Sequence, residues 1–150
     1  MKIFPFLKDF RQRRGAAGGF ILGEDDIPKD TQGCAGVYVI ETNDGFKFPY
    51  PTGNRKVIYI GKSDRLMARL KEHRKAVDDL WDNVDLGIYD DGPWPFNRHQ
   101  YMRHHGAKVY YYKCLRKQEA KELESRVMWA FYKKYHAIPV GNGAKSYSKK

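Results

Sequence analysis

The sequence predicts a mixed α/β domain of the α+β kind, in which a small three-stranded mixed sheet is flanked by helices in the order β-β-α-α-β-α. Three observations predict it. Residues 36–40 and 56–60 are short runs of β-branched and aromatic residues separated by a link rich in turn formers. Residues 118–136 repeat apolar side chains at helical spacing and stop before Pro139. Between them, residues 108–115 read as one further strand.

Taken in order, residues 1–33 have the composition of an extension or arm. Arg11, Arg13 and Arg14 form a basic cluster, a glycine-rich stretch runs from Gly15 to Gly19, and Glu24, Asp25 and Asp26 follow. Gly36-Val37-Tyr38-Val39-Ile40 is the first strand and Lys56-Val57-Ile58-Tyr59-Ile60 the second. Asn43-Asp44-Gly45 signals a turn in a link that continues through Pro49, Pro51 and Gly53, so the two strands are expected to pair as a long hairpin. Ser63 or Asp64 can cap the helix that follows, with Leu66 and Leu70 on its buried face. Residues 78–97 read as an acidic insertion containing Gly and Pro. A short helix over 98–105 ends at Gly106, a good C-cap. A domain over 34–143 with a basic tail at 144–150 results. At 150 residues it can bury one core, and the small sheet needs helices over one face.

The net charge is +10 and the pI about 9.6, a balance suited to a phosphate-rich partner. The charge is uneven. Residues 78–97 contain six aspartates and no Lys or Arg, which leaves +16 on the other 130 residues. Charge alone does not separate a nuclease from a ribosomal-type binder or a membrane-surface protein. No apolar run is long enough to span a bilayer, and charge interrupts the N-terminal Met1 to Lys8 stretch without a small-residue cleavage site. The expected location is intracellular, cytoplasmic or in the nucleoid or nucleus, with no secretion and no membrane partner. Cys34 and Cys114 are too few and too far apart for a Cys-based zinc site and read as free, buried thiols.

Two local anomalies point to chemistry. On the last helix Ala120, Leu123, Val127, Met128 and Phe131 form an apolar stripe, and Glu124 falls inside it, between Phe131 and Tyr135; Glu119 and Glu122 lie outside. A carboxylate on a packed face is either paired with a buried Arg or Lys or binds a metal ion. The second anomaly is the Gly61 junction, where a strand meets a helix N-terminus at Lys62 and Ser63. Arg65, Arg69 and His73 follow at four-residue spacing. This is either a phosphate cradle or an ordinary solvated basic face. Trp129 lies opposite the apolar stripe, free to meet the arm, an insertion or a partner. Tyr110, Tyr111 and Tyr112 belong in a sheet rather than in base stacking, and Lys145, Lys149 and Lys150 would add non-specific affinity for a nucleic-acid backbone.

Gly36-Val37-Tyr38 followed by Tyr59-Ile60-Gly61 resembles the paired motif of the GIY-YIG nucleases. The resemblance extends to Arg69, eight residues after Gly61, to His73 four further on, to Glu124 on a later helix behind Ala120 and Leu123, and to Pro139 with Asn142 three residues later. Lys62 matches the excision-repair branch. The first triplet has Val37 in place of Ile, and both the hairpin link and the stretch from Glu124 to Asn142 are longer than in the simplest members. Gly87-Ile88-Tyr89 spells the first triplet literally, but it lies in the acidic insertion with no second triplet downstream, and reads as accidental.

The resemblance implies a divalent-metal-dependent endonuclease with one active site per chain. Tyr38, Tyr59, Arg69, His73, Glu124 and Asn142 would be the catalytic set, Glu124 holding Mg²⁺ or Mn²⁺. Gly61, Lys62, Ser63 and Arg65 would hold the substrate phosphate. Tyr38 or Tyr59 would take the proton from water, which requires a phenol shifted below its usual pKa near ~10; alternatively each is a packed strand aromatic. The partner is DNA, double-stranded or branched, and a monomer is favoured over a dimer or a protein-assisted enzyme. Two alternatives stand beside it: a non-cleaving nucleic-acid-binding module on the same fold, and a phage or mobile-element accessory protein.

Overall fold

The computed structural model describes residues 17–85 and 98–142, with side chains over 18–79 and 98–142. The basic cluster Arg11 to Arg14, the Gly87-Ile88-Tyr89 triplet and the 144–150 tail lie outside the described residues. The chain is mixed α and β. Strands β1 (Ala17–Ile21), β2 (Ala35–Glu41), β3 (Phe48–Tyr50), β4 (Gly53–Arg55), β5 (Val57–Ser63) and β6 (Lys108–Cys114) alternate with helices α1 (Leu66–Asp85), α2 (Arg98–His105) and α3 (Lys117–Tyr135).

The main sheet has four strands in the order β1-β6-β2-β5, all neighbours antiparallel, rather than three strands in a mixed sheet. The added strand comes from the segment expected to be an arm. Ala17 pairs with Tyr112 and Ile21 with Lys108. The glycines that suggested flexibility have a packing reason: a side chain at Gly18 would collide with the Tyr111 phenol, which crosses over it. The phenol also donates to Asp30 at 2.8 Å, and Lys113 pairs with Asp30 at 3.1 Å, so residues 17–33 are tied to β6.

β2 and β5 pair as the expected hairpin, but the link between them is ordered into a ribbon of its own, β3–β4, with Pro49 opposite Asn54. Two prolines hid it, because proline cannot donate to a ladder and is confined to edges such as this one. Tyr50 anchors the ribbon by donating to Val57 O at 2.8 Å and packing on Phe131 and Tyr135. α1 continues through residues first read as the acidic insertion. Asp78 and Asp79 are exposed on it, and Lys75 pairs with Asp79 at 2.8 Å one turn on.

β2 is buried along its whole length, so both faces of the sheet are covered, not one. Alternation puts Gly36, Tyr38 and Ile40 on one face, where Leu66, Leu70 and His73 of α1 are buried. α3 packs on β2, β5 and β6 with Ala120, Val127, Phe131 and Tyr135 buried, and covers Val37, Val39 and Ile60 on the other. α2 ends as expected at Gly106, with φ of +77°. Among the described residues no helix is long and apolar enough to cross a membrane. Cys34 and Cys114 are free thiols, Cys34 half-buried and Cys114 buried.

Candidate active site

The site is assembled around Gly61. Register pairs Tyr38 with Gly61 and Ile40 with Tyr59, so both tyrosines rise from the same face of adjacent strands. Their ring centroids are 6.0 Å apart. An added Cβ at Gly61 would stand 2.6 Å from Cζ and Oη of Tyr38 and 2.7 Å from Cε2 of Tyr59, so only glycine admits both rings. Tyr38 is 0% exposed and Tyr59 9%, which makes Tyr59 the phenol nearer to solvent.

α1 delivers two further groups from one face, a turn apart. His73 is 1% exposed, and its Nε2 lies 2.7 Å from the Tyr38 hydroxyl. Its ring packs edge-on to both tyrosines. Arg69 is half-buried against the same phenols and bonds the exposed Glu72 at 3.1 Å. Burial alone would weaken its charge, but Tyr38, Glu72 and Tyr59 outweigh that and hold the guanidinium firmly protonated. Burial pulls the His73 pKa down to about 2, helped by the charges of Arg69, His99 and Arg98, so the imidazole is neutral. The Tyr38 phenol moves up, chiefly by burial and then by Tyr59, with Arg69 only partly offsetting. That is opposite to the downward shift expected of a tyrosine base. The cations are present, but desolvation of the phenolate outweighs them.

α2 contributes two residues that the sequence reading passed over. His99 Nε2 is 3.0 Å from His73 Nδ1, behind the Tyr38–His73 pair. The Arg98 guanidinium lies 4.7 Å above the centre of the Tyr59 ring and donates from one terminal nitrogen to Gly141 O at 2.8 Å. Its buried Nε has no hydrogen-bond partner among the described residues. A signal did exist. α2 opens on Arg98 and His99 with no acidic residue in its first turn, against the helix dipole, and such a placement implies a reason beyond the helix.

The other predicted residues divide. Glu124 is half-buried on α3, and burial raises its pKa while Lys62 opposes the rise. Among the described residues it makes no hydrogen bond or ion pair, so no salt bridge to a described Arg or Lys accounts for it. Lys62 follows Gly61 and alternates to the α3 side of β5, so β5 carries the tyrosine cluster on one side and faces Glu124 on the other. Asn142, 4% exposed, has both ends of its amide occupied by one residue of β5: Oδ1 accepts Ile60 N–H at 2.9 Å and Nδ2 donates to Ile60 O at 2.7 Å. It pairs the edge strand as a neighbouring strand would, and so positions the Tyr59-to-Gly61 segment rather than facing outward.

The phosphate cradle at the helix start is smaller than expected. The Ser63 hydroxyl accepts Arg65 N–H at 3.0 Å and donates to Arg65 O at 2.9 Å, and Leu66 N–H is held by Cys34 O at 2.9 Å. The amides of Arg65 and Leu66 at the start of α1 are thus already bonded within the chain. Arg65 turns toward a surface cavity of about 530 Å³ lined also by Cys34, Asp64, Met67 and Lys71, away from the tyrosines. Trp129 is 59% exposed and stacks on Tyr132, in line with its place opposite the apolar stripe, and Tyr111 and Tyr112 are buried in β6.

No protein-family model, curated protein or solved structure matches the chain. Its chemistry rests on the geometry alone. A divalent metal fits that geometry at one carboxylate. Glu124 is partly desolvated and has no hydrogen-bond or ion-pair partner among the described residues, which suits a hard cation held by one protein oxygen and completed by water and phosphate. Among the described residues no cluster of three or more ligating side chains offers a closed metal cage.

Proposed function

We propose that the chain is a divalent-metal-dependent endonuclease of the GIY-YIG type, hydrolysing phosphodiester bonds in double-stranded or branched DNA from one active site. The observation that carries this reading is the convergence of Tyr38, Tyr59, Arg69 and His73 from β2, β5 and α1 around the one residue, Gly61, that has room for both phenols. Glu124, beside Lys62 and without an ion-pair partner among the described residues, supports it.

In this reading Arg69 neutralises phosphate charge on the tyrosine side of β5, Lys62 meets the backbone from the α3 side beside Glu124, and water approaches on the Tyr59 side, where the site opens. Tyr38 lies behind Tyr59 with its hydroxyl held by neutral His73. Arg98 lies over the Tyr59 ring and holds it in place by a cation–π contact. Glu124 would hold Mg²⁺ or Mn²⁺, which when bound supplies charge stabilisation at the phosphoryl and leaving oxygens. Asn142 keeps the edge strand in place.

Incubation with supercoiled plasmid, with and without Mg²⁺ or Mn²⁺, tests the proposal. One site per chain should give open circles first, at a rate first order in enzyme. Glu124→Gln should bind DNA and not cut it. Binding without cleavage under either metal makes the chain a non-cleaving module. Linear product without an open-circle stage, at a rate rising with the square of enzyme concentration, makes it a dimer.

A further inference from the structure

His99 is absent from the triplets and from every spacing that suggested nuclease chemistry, yet it joins a chain of three titratable groups in which Tyr38 and His73 are buried and His99 is half-buried. Tyr38 Oη meets His73 Nε2 at 2.7 Å, and His73 Nδ1 meets His99 Nε2 at 3.0 Å. Both distances are those of full hydrogen bonds. Each neutral imidazole carries one proton, so the bond that one nitrogen makes dictates the state of the other.

We propose that His99 is a positioning and relay residue: it fixes the His73 tautomer that faces Tyr38, and it takes up the proton displaced when the Tyr38 hydroxyl ionises. The relay half of this rests on the nuclease reading; the tautomer half does not.

The step balances. With His99 Nε2 as acceptor, His73 carries its proton on Nδ1 and accepts the Tyr38 hydroxyl at Nε2. When the Tyr38 O–H bond breaks, an N–H bond forms at His73 Nε2. The His73 Nδ1–H bond breaks and an N–H bond forms at His99 Nε2. The products are a phenolate, a neutral His73 in its other tautomer, and an imidazolium at His99. His73 never needs to hold two protons, which its burial forbids.

The charges around the chain decide when this runs. Arg69 from α1 and Arg98 from α2 both disfavour an imidazolium, Glu72 is exposed and engaged by Arg69, and the facing strands present Tyr38 and Tyr59. Burial first, then Arg98 and Arg69, pulls His99 down to about 4, less far than His73 at about 2, so His99 is the better proton holder of the two. A phosphodiester docking against Arg69 and Arg98 cancels part of that opposing field. That favours a proton on His99, while burial of the Tyr38 phenol outweighs the support Arg69 gives its phenolate and keeps Tyr38 protonated in the free protein.

Two variants of the full chain separate the halves. His99→Gln retains an acceptor for His73 Nδ1–H but cannot take a proton; His99→Ala retains neither. Nitrogen-15 NMR of the histidines should show His73 protonated at Nδ1 in the wild type and in His99→Gln, and a tautomer mixture in His99→Ala. Plasmid cleavage should fall by about tenfold or more in both variants with DNA binding retained. Its pH profile should lose the acid limb that protonation of His99 imposes, and added imidazole should restore His99→Ala. A His73 tautomer unchanged by His99→Ala overturns the positioning role. Wild-type cleavage rates in both variants, or a loss that imidazole does not restore and that leaves the pH profile in place, overturn the relay. If the wild type cuts nothing, the nuclease reading and the relay with it fall, while the NMR result still decides the tautomer claim.

Discussion

Replacing Gly61 with alanine tests the site and the fold in one experiment. The new methyl carbon would stand 2.6 Å from the Tyr38 phenol and 2.7 Å from the Tyr59 ring, whereas carbon atoms rest at ~3.5–4.0 Å. One or both rings must therefore retreat by about 1 Å. Tyr38 has nowhere to go, being fully buried and tied to His73, and Tyr59 has the Arg98 guanidinium over its ring. Forcing a methyl group into such packing costs about 1–3 kcal/mol. At ~2–4 °C per kcal/mol for a chain of this size, the thermal midpoint should drop by several degrees. The cost to chemistry should be larger, since a displacement of ~1 Å at reacting groups can cost ~10²-fold in rate. A thermal melt, a DNA-binding titration and a plasmid-cleavage time course on the same preparation give the three numbers. A variant that melts within about a degree of the wild type and cuts at an unchanged rate would refute the idea that Gly61 sets the phenol geometry.

Three further outcomes are expected. Tyr38→Phe and Tyr59→Phe should each slow plasmid cleavage, by about 10²–10⁴-fold for the phenol that handles the proton; Tyr38→Phe should also free His73 Nε2, visible as a changed imidazole nitrogen shift. Asn142→Ala leaves Ile60 N–H and C=O unpaired at about 1–3 kcal/mol each, so it should lower the melting temperature, and a large rate loss with no loss of stability would instead make Asn142 a group that meets substrate. The third concerns pH. His73 titrates at about 2 in the fold and near ~6.5 unfolded, so the unfolded chain binds the extra proton. Its contribution to stability is complete above about pH 6.5 and declines as pH falls toward 2, by about 1.4 kcal/mol per unit at most. Denaturant melts between pH 7 and 4 should show that decline, and His73→Gln should flatten it.

Much of the architecture was legible from local pattern. The strands containing Tyr38 and Tyr59 were legible as runs of β-branched and aromatic residues, the helix from residue 98 to 105 from its Gly106 C-cap, and α3 from a stripe at helical spacing, which reports which side chains a core will cover. Glu124 stood out for the same reason, as a carboxylate where the stripe called for an apolar residue. β1 and the β3–β4 ribbon did not stand out, because glycines and prolines carry no periodic signal and were open to being read as flexible arm and turn.

The sequence by itself determined the two central strands, the third strand, the short helix and the buried stripe of α3, since those depend on neighbours within a turn or two. It also set Tyr38, Tyr59, Arg69 and Glu124 in the order on which the resemblance to the GIY-YIG nucleases rests. Only the tertiary structure decided what meets at the site. Asn142 serves Ile60 across 82 positions, His99 reaches His73 across 26, and Arg98 lies over Tyr59. It also decided the direction in which Tyr38 titrates, because a phenol among cations moves down near solvent and up in a packed core, and burial is a property of the whole fold.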